Sequence, residues 1–205
     1  MIGINEYFSK FNYEPLPEHG SLPTEVVWTN VGQLEIKGNR IYAGDSWSIS
    51  ADSVCFGVPS GKYEITAECF AYDTDPRVAR VRGLLPGRQP NGTRLEGEFG
   101  VDVGSAGVMD ADSLDRWADA DENDYERWIQ SFMDSQVKDS SAVAGFFPCS
   151  GAGVAMLHIC SGFGDGCYEA LSLLDDEEPV GFELVFLKPG QGYFEDDESG
   201  EEGDD

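Results

Sequence analysis

An α+β fold, mainly antiparallel β-sheet of sandwich type with one or two helices inserted around residues 112–138, is predicted by three features of the sequence. Residues 62–72 alternate with period two: Tyr63, Ile65, Ala67, Cys69 and Ala71 share one face, and Lys62, Glu64, Thr66, Glu68, Phe70 and Tyr72 share the other. That pattern belongs to a half-buried strand. Glycine-bearing turns punctuate most of the chain at short intervals, as they do in all-β folds. Between Leu114 and Met133 the period changes: Leu114, Trp117, Ala118, Tyr125, Trp128, Ile129, Phe132 and Met133 recur at three- and four-residue steps, the spacing of an amphipathic helix.

The elements follow in order. Residues 1–30 read as a leader with Pro15, Pro17 and Pro23, whose Tyr7, Phe8, Phe11 and Tyr13 are expected to dock on the body. The body spans residues 31–188. Leu34–Ile36 and Arg40–Ala43 flank Lys37-Gly38-Asn39, which predicts a hairpin. Val54–Val58 runs into the turn signal Pro59-Ser60-Gly61. Val78–Leu85 is expected to pair with residues 62–72 across Asp73–Pro76, and Leu85–Leu95 to form a polar loop. Phe99–Val103 is a short strand closed by Gly104-Ser105-Ala106-Gly107. Asp112 or Ser113 is placed to cap the helix, whose acidic first turns suit the positive end of its dipole. Strands then return at Ala142–Phe147, Val154–Cys160, Cys167–Leu174 and Val180–Leu187, with Asp175–Glu178 as a polar hairpin loop. Residues 189–205 form a tail; from Glu195 onward it has eight acids and no apolar residue, too little to order itself.

Composition narrows the function. The 205 residues carry 39 acids and 13 bases, a net charge of −26, while 40% are hydrophobic, enough to fill a core. Such a field repels nucleic acids and anionic membranes and speeds encounter with basic partners. No apolar run reaches the roughly 18 residues of a membrane span, and the first ten residues lack the features of a signal peptide. Five cysteines without a Cys-x-x-Cys pair define neither a disulfide framework nor a zinc site. A cytoplasmic protein with reduced thiols and no cofactor is the expectation.

Two stretches carry a family resemblance. Gly100-Val101-Asp102-Val103-Gly104-Ser105-Ala106-Gly107-Val108-Met109-Asp110 resembles the G-V-D-A-G-x-G-x-x-D stretch of the bacterial domain of unknown function 4241. Ser161-Gly162-Phe163-Gly164-Asp165-Gly166-Cys167-Tyr168, followed by a strand pair, resembles that family's S-G-W-G-D-G-x-Y. Val58–Tyr63 and Arg77-Val78-Ala79 stand in the matching order, so the resemblance covers about residues 40–188. Phe163 replaces the usual Trp and Val103 the usual Ala. The family has no known activity, so the resemblance implies no catalytic residue. In size and acidity the chain is also similar to the immunity proteins that bacteria pair with secreted toxins.

Each candidate site has a plainer structural reading beside it. Gly162–Gly166 has the glycines of a phosphate or metal loop, yet it lacks a trailing Gly-Lys-Ser/Thr and is followed by a strand, which favours a tight turn. Asp102, Asp110 and Asp165 are hard-oxygen candidates for a divalent cation, in an order that matches no EF-hand; strand-end and turn aspartates are the favoured account. His158, between Leu157 and Ile159, shares a strand face with Cys160, but a half-buried structural histidine is favoured over a Cys–His nucleophile built with Cys149 or Cys160. Arg77, Arg80, Arg82, Arg88 and Arg94 hold five of the 13 bases within eighteen residues, favoured as internal ion partners. The segment Asp110–Glu126 has eight acids and one base alongside Trp117 and Tyr125. Its Asp115, Asp119, Asp121, Glu122, Asp124 and Glu126 either face a basic partner or only solvent; like charges three and four apart destabilise a helix that lacks such a partner.

A binding protein is favoured over an enzyme. The leading expectation is an acidic inhibitor, such as a toxin-neutralising immunity protein, that occludes a basic partner. The alternatives are a divalent-metal module or hydrolase built on Asp102, Asp110 and Asp165, and a nucleic-acid mimic.

Overall fold

The computed structural model describes residues 25–49, 53–72, 75–118, 144–149 and 154–187. Among these residues eleven strands and one helix follow one another: β1 (Glu25–Ile36), β2 (Arg40–Asp45), β3 (Val54–Gly57), β4 (Gly61–Tyr72), β5 (Asp75–Leu84), β6 (Gly92–Val101), β7 (Ser105–Asp110), α1 (Ala111–Ala118), β8 (Ala144–Cys149), β9 (Val154–Cys160), β10 (Gly166–Asp175) and β11 (Glu178–Val185). They form a six-stranded sheet, β1-β4-β5-β11-β10-β6, and a five-stranded sheet, β3-β2-β7-β9-β8. Every pairing is antiparallel. The β-rich, sandwich-like α+β class expected from the sequence is the one observed.

Alternation explains the core. Tyr63, Ile65, Ala67 and Cys69 of β4 are buried and meet residues of the second sheet, including Ile41, Ala43, Val108, Leu157 and Ile159, in one hydrophobic cluster. Lys62 and Glu64, on the opposite face of β4, are exposed. Burying groups of this size contributes about 1.5–3 kcal/mol for each large side chain, and the two facing sheets bury them in a single layer. Phe70 is buried as well, although the alternation assigns it to the outer face. A bulge after Glu68 in the β4–β5 ladder interrupts the pairing just before it.

The β4–β5 and β10–β11 hairpins form as expected. Asp176 and Glu177 both have positive φ, the backbone of a two-residue primed turn. Asn91 and Asp176 clamp this turn: the Asn91 amide donates to Asp176 Oδ1 at 2.9 Å, and Asp176 N–H donates to Asn91 Oδ1 at 3.2 Å.

Four expectations are corrected. Lys37–Asn39 does not close a hairpin: β1 pairs with β4 in one sheet and β2 with β3 and β7 in the other, so the turn carries the chain between layers. The leader boundary drawn at residue 30 falls inside β1, and residues 1–24 lie outside the described residues. The loop after Leu85 is shorter than expected because β6 begins at Gly92. Ser105–Gly107 is not a turn but the start of β7, whose six residues are all buried. The tail, residues 189–205, lies outside the described residues.

Candidate functional site

Three connections meet at one end of the sandwich, and their own polar groups stitch them together. Asp45 ends β2, and its buried carboxylate accepts from Trp47 N–H through Oδ1 at 2.7 Å and from Asp102 N–H through Oδ2 at 2.8 Å. Ser46 N–H donates to the Ser105 carbonyl at 3.0 Å, and the two hydroxyls lie 2.6 Å apart. Ser161 N–H donates to the Gly104 carbonyl at 3.0 Å, while Gly104 N–H donates to Asp165 Oδ1 at 2.8 Å. The loop Ser161–Asp165 is therefore a turn whose aspartate holds a neighbouring backbone. Gly164, at φ +114°, adopts a conformation that residues with a side chain seldom reach. Its carbonyl accepts from Ser161 Oγ and from Tyr168 Oη, both at 2.7 Å. Burial raises the Tyr168 hydroxyl pKa.

Two pockets open beside this stitched end, and Glu98 of β6 lines both. The first, about 440 Å³, is bounded by Phe163, Tyr168 and Phe186 together with Glu98, Asp165 and Glu169. The second, about 360 Å³, contains Asp45, Glu98 and Asp102 with Ser48 and Ser53. Among the described residues lining either pocket there is no lysine or arginine. Glu98 lies directly opposite Glu169 across the β6–β10 ladder, two carboxylates where like charges oppose pairing.

The three aspartates considered for a cation serve separate backbones. Asp102 is exposed at the stitched end, and Asp165 holds Gly104 there. Asp110 is at the far end of β7: it pairs with Ile41, whereas Ala106 pairs with Asp45, a separation of four residues or roughly 13 Å. Its buried carboxylate is fully engaged. Oδ1 accepts from Lys37 N–H at 3.1 Å and Gly38 N–H at 2.9 Å, and Oδ2 accepts from Ser113 N–H at 3.1 Å and Ser113 Oγ at 2.8 Å. Asp110 is thus the cap of α1, in place of the expected Asp112 or Ser113. Among the described residues no group of three or more His, Cys, Asp or Glu could hold a metal ion.

The arginine cluster resolves into internal partners. On the outer face of the six-stranded sheet Arg80 Nε stands 2.7 Å from Glu68 Oε2, and Arg82 Nε lies 2.8 Å from Glu183 Oε2. Arg82 also lies over the Trp28 ring, 5.2 Å from its centroid. Arg88 approaches Asp175 at 3.5 Å, Arg94 meets Glu96 at 2.7 Å, and Arg77 lies 5.8 Å over Phe163. Burial raises the Glu68 pKa, opposed by Arg80.

His158 and Cys160 show no sign of an activated pair. Burial pushes the imidazole down to about 4 and raises the Cys160 thiol, which Arg77 only partly offsets. A nucleophilic cysteine needs the reverse, a depressed thiol pKa beside a cationic or basic partner. Of the acidic helix residues proposed for partner binding, Asp115 lies in α1, while Asp119, Asp121, Glu122, Asp124 and Glu126 lie outside the described residues. No helix is long and apolar enough to cross a membrane among the described residues.

Sequence reasoning passed over Asp45 and Glu98. Glu98 was hidden because the strand was expected to begin at Phe99; continuing the alternation back through Glu98 and Glu96 would have exposed it. Asp45 had no signal, because its role lies entirely in bonds to Trp47 and to Asp102, 57 residues away. Compared with family models, curated proteins and solved structures, the chain matches none.

Proposed function

We propose that the protein binds a basic protein partner and inhibits it by covering a cationic site, in the manner of a toxin-neutralising immunity protein. One observation carries this reading: the distribution of charge. Arg80, Arg82, Arg88 and Arg94 are engaged with acids along the six-stranded sheet, whereas the two pockets flanking Glu98 are lined by five carboxylates and no described base. Carboxylates gathered at one end of a molecule steer cations there and add more to association rate and selectivity than to final affinity. The net charge of −26 extends that field. The resemblance to the bacterial family of unknown function 4241 is compatible with this reading and adds no chemistry to it.

The test is affinity capture from the source cell with the full chain, followed by titration of the purified pair. The expected partner is a basic protein whose affinity falls at least about tenfold between 50 and 300 mM salt, as screening shortens the reach of the field. Capture of no basic protein, or of one whose affinity ignores salt, would overturn the reading.

A further inference from the structure

An asparagine followed by glycine has the least shielded of neighbours, because no side chain stands beside the glycine's amide nitrogen. Asn91-Gly92 is the one such pair in the sequence; the other five asparagines precede residues with side chains. The pair lies at the start of β6, an edge strand among those described, and Asn91 through Leu95 are exposed. The Asn91 side chain also has a task, the clamp on the β10–β11 turn. We propose that Asn91 is a site of spontaneous deamidation, and that its conversion dissolves the clamp on Asp176. This is independent of the reading of the protein as a binder of basic chains.

The step needs only water. The Gly92 amide nitrogen gives up its proton to solvent and attacks Asn91 Cγ, forming the new C–N bond of a five-membered succinimide. The Cγ–Nδ2 bond breaks, and ammonia leaves with a proton regained from solvent. Water then opens the ring at either carbonyl, leaving aspartate or, where the main chain now runs through the side-chain carbon, isoaspartate. The balance is one water in and one ammonia out, a gain of one dalton and one negative charge. The clamp favours the attack: Asp176 N–H donates to Asn91 Oδ1 at 3.2 Å, drawing electrons from Cγ and meeting the charge that develops on that oxygen. The product undoes the clamp. Asn91 Nδ2 donates to Asp176 Oδ1 at 2.9 Å, and an oxygen in its place loses that bond and sets two carboxylates against each other. The repulsion falls on a turn whose Asp176 and Glu177 hold φ of 48° and 71°, a backbone that side chains disfavour, within the four consecutive acids Asp175–Glu178.

The test is to hold the full chain at neutral pH, digest samples at intervals and read them by mass spectrometry. The peptide containing Asn91 should gain one dalton ahead of every peptide holding another asparagine. The gain should slow from mildly basic to mildly acidic pH, since the attacking amide must lose its proton. Gly92→Ala should remove most of the gain. Its added Cβ meets only Leu174 Cβ, at 3.9 Å, so the fold is kept, and overlaid amide spectra check this. Asn91→Asp, which makes the product directly, should speed hydrogen exchange at the Asp176 and Glu177 amides, and the aged chain should show the same change. No gain at Asn91, a gain that another asparagine outpaces, or one that Gly92→Ala leaves intact would overturn the site. A gain at Asn91 with exchange at Asp176 unchanged, in the aged chain and in Asn91→Asp alike, would overturn the consequence for the turn.

Discussion

Asp110 receives four hydrogen bonds at one buried carboxylate, two from the turn after β1 and two from Ser113 of α1. Asp110→Ala removes a helix cap and leaves buried donors unsatisfied, so a loss of about 2–3 kcal/mol is expected in urea unfolding, with Asp110→Asn losing less. The sequence around it, Asp110-Ala111-Asp112-Ser113, offers three good caps. The choice among them is made by the distant Lys37–Gly38 turn, which local pattern cannot show. His158 sets a pH dependence. Its folded pKa of about 4 lies below the ordinary 6.5, so the unfolded chain takes up a proton first as pH falls. Its contribution is absent above pH 6.5, and stability is lost between 6.5 and 4 by an amount on the order of 3 kcal/mol. Glu68, whose pKa is raised, acts in the opposite sense and stabilises as pH falls. Comparing His158→Gln with the parent chain across that range isolates the histidine: the difference in unfolding free energy should change with pH, and a constant difference would contradict it.

At the scale of elements, the sheet interior depends on close approach at Gly83 of β5. A Cβ there would run into the Phe182 ring of β11, which sits directly opposite in the ladder and fills the core between the sheets. Gly83→Ala should therefore destabilise by roughly 2 kcal/mol or more through overpacking. Gly100→Ala meets nothing within 4 Å and should change stability by less than about 1 kcal/mol. Thermal melts of the two variants check the contrast. Strands 4, 9, 10 and 11 were legible because their alternation or apolar runs and their flanking turns agree. The turn at Lys37–Asn39 misled because a short polar turn between apolar runs looks the same whether it folds a strand back or passes it to the facing layer. Only the apolar faces of both sheets together decide that, and they are assembled from residues far apart in the chain.

For the molecule as a whole, acidity was legible and its geography was not. Counting charges shows an excess of 26 acids over bases, but not that four arginines are engaged along one sheet while Glu98, Asp165 and Glu169 gather around a pocket. Self-repulsion on this scale should be relieved by screening: raising NaCl from about 20 to 500 mM should raise Tm by several degrees, roughly 1–2 kcal/mol for a chain of this size. An unchanged or lower Tm would show that the repulsion is already balanced within the fold. The strand order carries a kinetic consequence. Among the described strands β6 pairs only with β10, so Gly92 waits for Leu174 and Val101 for Gly166, and the six-stranded sheet is continuous only once β11 enters between β5 and β10. Long loops must close before these contacts form, which places folding in the millisecond-to-second range. On the ribosome the pocket around Glu98 cannot exist until the β10–β11 hairpin has emerged, and the chain through Asp165, with 25 acids and 12 bases, carries only half of the final net charge before that moment.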